Sequence, residues 1–123
     1  MTAGDIVEVH DEAARLGETW HMGVRDPGSL EYVADRIRRM VRDRFPPAEI
    51  AAVALHFIVG KHPFWDANHR TAFEMADLIL RVFGLTIVAP REEIERYVRG
   101  IDRQGIGEAR IAAWIRRRAE RLR

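Results

Sequence analysis

A nine-residue stretch near the middle of the chain, HPFWDANHR, brings together four side chains that suit chemistry on phosphate groups. His62 offers a titratable base, Asp66 a carboxylate, Asn68 an amide and Arg70 a guanidinium. A base can take a proton from a hydroxyl, and a carboxylate can hold Mg²⁺. An amide and a guanidinium can donate hydrogen bonds to phosphate oxygens. The combination at this spacing predicts a site for phosphate chemistry.

Two of these residues are candidates for the reaction itself. The imidazole of His62 titrates near pH ~6.5 when unperturbed, so its neutral form can accept a proton under cellular conditions. Asp66 is the candidate ligand for Mg²⁺, which proteins usually hold with one or two carboxylates together with substrate phosphates. Each also fits a structural role, His62 as a capping or core histidine and Asp66 in an Asx turn or helix N-cap.

Asn68 and Arg70 stand where a helix is expected to begin. The free N–H groups and positive dipole end of a helix N-terminus make an anion site. An arginine in a first turn is unfavourable for the dipole, and a bidentate guanidinium–phosphate contact would more than offset that cost. The alternative for Arg70 is an exposed side chain that tolerates its position. Asn68 suits both helix capping and contact with a phosphate.

Two apolar runs flank the stretch and are expected to position it. The run from Ile50 to Val59 is apolar nearly all round, which is typical of a helix at the centre of a bundle. The run from Thr71 to Phe83 predicts a second apolar helix. The HPFWDANHR stretch is therefore expected to be a loop between two buried helices that closes on the N-terminus of the second.

The rest of the chain also has a predominantly helical pattern. Further helices are predicted over about 5–16, capped by Asp5, from Ser29 to the stop at Pro46, over 91–101 and through 111–122. The strand-like residues 85–88 are either an extended connector or half of a small ribbon. We therefore predict an all-α fold, a compact bundle of about six helices in a single domain spanning 1–123, with at most a short β segment near 85–88.

The composition limits the class of protein. With 47% hydrophobic and 32% charged residues, the 123-residue chain is typical of a globular protein, and no apolar run reaches the ~18 residues of a membrane span. Acidic residues interrupt the first dozen positions, so no signal peptide is predicted. Cysteine is absent, which excludes a disulfide framework and thiolate chemistry. We expect a cytoplasmic protein that does not contact a membrane.

The charge gives no general attraction to nucleic acid, because the formal net charge is only +1. Basic residues nevertheless concentrate in the stretch RRRAERLR at positions 116–123. Cations at the negative end of a helix dipole explain this stretch, and a nucleic-acid patch is the alternative. No aromatic residues interleave these arginines, so direct contact with nucleic acid is not expected.

The motif HPF-x-DAN-x-R resembles the signature of the Fic/Doc family, whose Fic members usually have H-P-F-x-D-G-N-G-R-x-x-R. Residues 7–11 and the loop 23–28 resemble the N-terminal part of the Doc (death-on-curing) toxins. The total length is similar as well, so the likeness extends over nearly the whole chain. The resemblance implies the Fic/Doc helical fold and a nucleotide-dependent transferase.

The resemblance also implies roles for individual residues. His62 would be the base that acts on the target hydroxyl, and Asp66 would help to hold Mg²⁺. The segment of Ala67, Asn68, His69 and Arg70 would bind the phosphates of ATP. Fic enzymes typically transfer AMP from ATP to a protein hydroxyl, whereas Doc toxins phosphorylate a threonine of translation elongation factor Tu.

Two departures from the Fic signature favour the Doc-like reaction. Phe73 occupies the position of the second Fic arginine, and Doc-like sequences also lack that arginine. His69 replaces the glycine that keeps a backbone anion nest open, and Doc-like proteins usually have lysine there. A side chain at this position is expected to change how the nucleotide sits. A kinase that blocks translation is thus the favoured function, and AMP transfer is the alternative.

A further feature concerns regulation. Many Fic proteins carry an inhibitory helix with a [S/T]-x-x-x-[A/E]-E-[G/N] motif, and no such segment occurs in this sequence. Restraint is then expected from another chain, as in a toxin–antitoxin pair. Two other classes stay open, namely a non-catalytic helical binding module that keeps the loop as structure and a small nucleic-acid binder that uses the basic C-terminus.

Overall fold

The computed structural model describes residues 2–5, 7–8, 25–62 and 68–122. Five helices with defined bounds follow one another along the described chain, with two short strands. The helices are α1 (Pro27–Arg42), α2 (Pro47–Lys61), α3 (Asn68–Val82), α4 (Arg91–Gln104) and α5 (Glu108–Arg118), and the strands are β1 (Leu85–Ile87) and β2 (Ala119–Arg121). The predicted all-α bundle with a short β segment is confirmed.

Helix α2 lies at the centre of the bundle, as its sequence predicts. Pro47 starts the helix, where a proline costs nothing because the first N–H groups have no partner inside a helix. Most of its residues are buried, from Ala48 to Val59, and it packs against α1, α3, α4 and α5. A helix that is apolar on every side can satisfy all its faces only by being surrounded in this way.

Helix α3, by contrast, is buried on one side only. Met75 and Leu80 are fully buried against the core, whereas Leu78 and Val82 are 40% and 77% exposed. The expectation of two buried helices around the HPFWDANHR stretch is therefore wrong for the second one. The sequence is apolar on both faces of α3, but only one of these faces is buried in the described structure.

Helix α1 begins two residues earlier than predicted, at Pro27 instead of Ser29. The Asp26 carboxylate caps it by accepting hydrogen bonds from the Ser29 N–H at 3.2 Å and the Ser29 hydroxyl at 2.6 Å. An acidic N-cap followed by proline at the first helical position is a strong start signal. Arg36 on this helix is joined to Glu108 of α5 by two hydrogen bonds of 2.8 Å.

The strand-like residues form half of a small ribbon. Strand β1 pairs antiparallel with β2, and Thr86 lies opposite Glu120. The last helix therefore ends at Arg118, and its predicted continuation to residue 122 is wrong because residues 119–121 are in a strand. Arg118 is not a solvated helix end either, since its guanidinium pairs with Glu93 of α4.

The first predicted helix, over about 5–16, lies largely outside the described residues. Residues 3–5 and 7–8 are helical, so Asp5 is inside a helix. The prediction that Asp5 caps this helix is therefore wrong. Thr2 occupies the capping position: its hydroxyl accepts from the Asp5 N–H at 3.2 Å, and its own N–H donates to the Asp5 carboxylate at 2.8 Å. The single domain spanning 1–123 stays a prediction. No helix in the described ranges is long and apolar enough to cross a membrane.

Candidate active site

The site begins at the end of α2, where His62 follows the last helical residue. His62 has a left-handed backbone conformation, with φ 47° and ψ 59°, and its N–H donates to the Ile58 carbonyl at 3.1 Å. This conformation costs a residue with a side chain about 1–2 kcal/mol. Backbone strain of this kind concentrates at functional sites, where the surrounding structure holds it in place. His62 is thus a structural helix cap as well as the candidate base.

The N-terminus of α3 forms the other side of the site. The helix starts at Asn68, three residues before the predicted start, so that Asn68, His69 and Arg70 make up its first turn. Asn68 is buried, Arg70 is half-buried and His69 is exposed. The first turn carries no acidic residue, so its positive end is not neutralised from within. Beneath it, Thr71 is fully buried, and its hydroxyl has no hydrogen-bond partner among the described residues.

The structure brings the two histidines of the motif together. The ring centroids of His62 and His69 lie 6.3 Å apart with the ring planes inclined at 79°. Desolvation of the His69 ring, followed by the positive charge of protonated His62, lowers the pKa of His69 below its ordinary value. From α4, Arg99 and Arg103 lower this pKa further and Asp102 opposes them. His69 is therefore neutral near pH 7 in the free protein.

A groove of about 650 Å³ runs between α3 and α4 and opens beside this first turn. Its α3 wall includes His69, Arg70 and Phe73, and its α4 wall includes Arg91, Ile94, Val98 and Arg99. The volume lies within the range of small-molecule sites, roughly 300–1,000 Å³. Glu74 and Glu95 also line the groove, and Glu95 pairs with Arg91 at 3.2 Å. The groove thus offers apolar side chains for a flat ligand, together with charged groups of both signs. Sequence reasoning assigned no site role to α4, because no motif links it to residues 62–70.

Part of the predicted site cannot be placed. Asp66, the candidate Mg²⁺ ligand, and Ala67 lie outside the described residues. Within the described ranges, no group of three or more His, Asp or Glu side chains is arranged to hold a metal ion. The described residues thus supply the base, the helix N-terminus and the arginine of the predicted site, and leave the metal ligand as a prediction.

One contact of the site has no counterpart in the sequence motif. The guanidinium of Arg25 donates to the backbone carbonyls of Lys61 and His62 at the end of α2, at 2.6 Å and 2.8 Å. Arg25 is 37 positions away from His62 and precedes the cap of α1. Local patterns could not reveal a contact between such distant residues.

Comparison with known proteins agrees with this geometry. A model of the Fic/DOC family matches residues 1–80, which is more than half of the chain and includes His62 through Arg70. The chain therefore belongs to the Fic/DOC family, and the resemblance drawn from its motif is confirmed.

A curated protein similar to this chain is the protein adenylyltransferase fic-1 of Caenorhabditis elegans. The two are 31% identical over 128 residues, which cover 89% of this chain and 25% of the relative. The chain thus spans about a quarter of the length of that relative.

Proposed function

We propose that this protein transfers a phosphate-containing group from ATP to a hydroxyl of a target protein, with phosphoryl transfer as the favoured reaction. The observation that carries the proposal is the position of His62. A strained helix end holds this potential base beside the N-terminal turn of α3, with its ring 6.3 Å from that of His69. A base next to an anion site is the arrangement that transfer from a polyphosphate to a hydroxyl requires.

His62 would act on the attacking hydroxyl. As the hydroxyl oxygen forms its bond to phosphorus, the neutral imidazole takes the hydroxyl proton and becomes an imidazolium. In the favoured reaction the attack is on the γ-phosphorus, the bond from that phosphorus to the β,γ-bridging oxygen breaks, and ADP leaves. Little covalent assistance is needed beyond this, since phosphoryl transfer depends mainly on positioning and on stabilisation of charge.

The first turn of α3 would hold the phosphates. Its N–H groups lie at the positive end of the helix dipole, and together with the guanidinium of Arg70 they are donors of the kind that bind phosphate oxygens. No carboxylate within the turn competes for them. The adjoining groove has the size to take the rest of a nucleotide, and Arg70 and Arg99 lie on its two walls. The residues present therefore fit a nucleoside triphosphate.

Magnesium would be held by Asp66 together with phosphate oxygens. When bound, Mg²⁺ neutralises charge on the phosphates during transfer. The support for this ligand is its residue type and its place in the motif, four positions after His62.

The choice of phosphoryl transfer depends on the residue at position 69. His69 puts a ring in the first turn of α3 where the Fic signature has glycine, and that ring occupies space beside His62. AMP transfer is the second candidate, and the adenylyltransferase name of the fic-1 relative favours it. In that reaction the hydroxyl attacks the α-phosphorus and pyrophosphate leaves. His69 is neutral in the free protein, so it supplies a cation for phosphoryl transfer only if bound phosphate raises its pKa.

The biological setting is proposed from the sequence alone. We propose a cytoplasmic toxin that modifies elongation factor Tu or a similar translation factor and is restrained by an antitoxin chain. The support is the Doc-like motif together with the absence of the inhibitory motif from the sequence. Expression of the wild type alone should arrest growth and translation, and an Arg70→Ala form should not. Equal growth with both forms, at equal levels of folded protein, would contradict the toxin role.

The reaction is tested by the intact mass of elongation factor Tu after incubation with the protein, ATP and Mg²⁺. We expect the mass increase of one phosphate, which is far smaller than that of one AMP. His69→Gly should shift the product towards AMP addition, and His69→Lys should retain phosphorylation. AMP addition by the wild type would establish the second candidate instead. No mass change on this factor or on other cellular proteins would contradict transfer of either kind.

A further inference from the structure

Arg25 is joined to the end of α2 by two hydrogen bonds. Its Nε donates to the His62 carbonyl at 2.8 Å, and its Nη2 donates to the Lys61 carbonyl at 2.6 Å. The last carbonyls of an α-helix have no N–H partner within the helix, so they must be satisfied from outside. A guanidinium does this well, because it is a planar fork of donors and its charge is favourable at the negative end of the helix dipole.

These contacts hold both peptide groups of His62. On one side of its Cα, the His62 N–H donates to the Ile58 carbonyl at 3.1 Å. On the other side, the His62 carbonyl accepts from Arg25. With both flanking peptides fixed, the direction of the Cα–Cβ bond is fixed too, even though His62 has a left-handed conformation that its side chain disfavours. The imidazole therefore leaves the backbone in one direction.

Arg25 is itself attached to a rigid element. The next residue, Asp26, caps α1 through hydrogen bonds from the N–H and the hydroxyl of Ser29. These hydrogen bonds, and then the charges of Arg25 and Lys61, lower the pKa of the Asp26 carboxyl, so the cap is ionised at neutral pH. The start of α1 and the end of α2 are thus linked through Arg25.

We propose that Arg25 is a positioning residue for the reaction. By donating to the carbonyls of Lys61 and His62, it sets the direction of the His62 imidazole. This inference rests on the proposed role of His62 as a base. Arg25 would not touch ATP or the target hydroxyl in this role. Its removal should affect the transfer step and leave nucleotide binding intact, because a reacting group displaced by ~1 Å can lose up to 10²-fold in rate.

The test compares Arg25→Ala, Arg25→Lys and the wild type in the full-length chain, with Arg39→Ala as the matched control. Arg39 is also an exposed arginine, and its guanidinium forms an ion pair with Asp35 within α1 at 3.2 Å. For each protein we would measure kcat for transfer, the Kd for ATP without target, and the hydrogen-exchange rate of the His62 amide. The amide reports on the end of α2 whether or not any transfer occurs.

We expect Arg25→Ala to lower kcat by about 10–100-fold with an unchanged Kd for ATP and faster exchange at the His62 amide. Arg25→Lys should be intermediate, because one ammonium cannot reproduce the guanidinium fork. Arg39→Ala should match the wild type. A wild-type kcat and amide exchange rate in Arg25→Ala would overturn the proposal. An equal loss of kcat and ATP affinity would also overturn it, since Arg25 would then act in binding.

Two further outcomes are also decisive. If Arg25→Ala does not fold, Arg25→Lys and Arg25→Gln take its place, and both must show the faster His62 amide exchange. If the wild type transfers nothing, the proposed function fails, but the exchange comparison still decides whether Arg25 holds the end of α2. If the His62 amide exchanges at the wild-type rate in every Arg25 variant, Arg25 does not hold the end of α2, whatever the activity shows.

Discussion

His62 and His69 face each other edge to face, with ring centroids 6.3 Å apart, one at the end of α2 and the other in the first turn of α3. At this distance the charge of one ring disfavours protonation of the other, and protonated His62 lowers the pKa of His69. In the free protein, a protonated His62 therefore favours the neutral form of His69. The two histidines are therefore not equivalent.

The first prediction concerns the effect of His62 on the pKa of His69. In the free protein, an NMR titration should give His69 a midpoint below the ordinary imidazole value of about 6.5. His62→Ala should raise the midpoint, because it removes a neighbouring positive charge and part of the desolvation. His56→Ala, on the same helix but facing Glu108, should leave it unchanged. A His69 midpoint at or above 6.5, or one that does not respond to His62→Ala, would contradict the electrostatic account.

The sign of this pKa shift also sets a pH dependence of stability. Because the folded-state pKa of His69 is lowered, the unfolded chain binds more protons than the folded chain once the pH falls below about 6.5. His69 therefore costs no stability above that pH. As the pH falls below it, protonation of His69 favours the unfolded chain, and the free energy of unfolding decreases.

The second prediction concerns Arg70. Replacing Arg70 with alanine should weaken ATP binding by roughly 10–100-fold, in line with loss of a charge-assisted hydrogen bond worth about 1.5–3 kcal/mol. Isothermal titration with ATP and Mg²⁺ measures the effect. Arg96→Ala, an exposed arginine of α4 that does not line the groove, serves as the control and should bind ATP normally. Undiminished ATP binding by a folded Arg70→Ala protein would remove Arg70 from the phosphate site.

The third prediction concerns the ribbon. The side chain of Asp77 on α3 is only 13% exposed and accepts hydrogen bonds from the Thr86 hydroxyl at 2.9 Å and the Ile87 N–H at 2.8 Å. Asp77→Ala leaves these donors without their acceptor and should lower the free energy of unfolding by about 1–3 kcal/mol. Asp35→Ala, which removes an exposed carboxylate of α1, should change it by no more than about 0.5 kcal/mol. Equal denaturant midpoints for the two variants would contradict this.

Local sequence patterns predicted the features that depend on neighbours along the chain. The central place of α2 follows from its all-round apolar surface. Helix α4 was predicted over 91–101 and continues to Gln104, where Gly105 ends it in a left-handed conformation with φ 62°. His62, Asn68 and Arg70 could be proposed as site residues because the chemistry of the motif lies within nine residues. The structure keeps His62 and the first turn of α3 side by side, as the loop prediction required.

The features that sequence could not predict depend on contacts between distant residues. The hydrogen bonds from Arg25 to the end of α2 span 36 and 37 positions. Strand β2 exists because it pairs with β1, so helical periodicity alone extended α5 too far. The motif likewise gives no indication that residues of α4 line the groove. The exposure of Leu78 and Val82 depends on which elements pack against α3, and the apolar pattern of the helix does not reveal this.

The central claim is that His62 is the base for transfer from ATP to a protein hydroxyl, and the most direct measurement is the single-turnover rate of a His62→Ala variant. The account predicts that this variant stays folded, binds ATP as the wild type does, and transfers roughly 10²–10⁴-fold more slowly. His56→Ala should transfer at the wild-type rate, because its imidazole lies near Glu108. Transfer at the wild-type rate by folded His62→Ala protein would contradict the account.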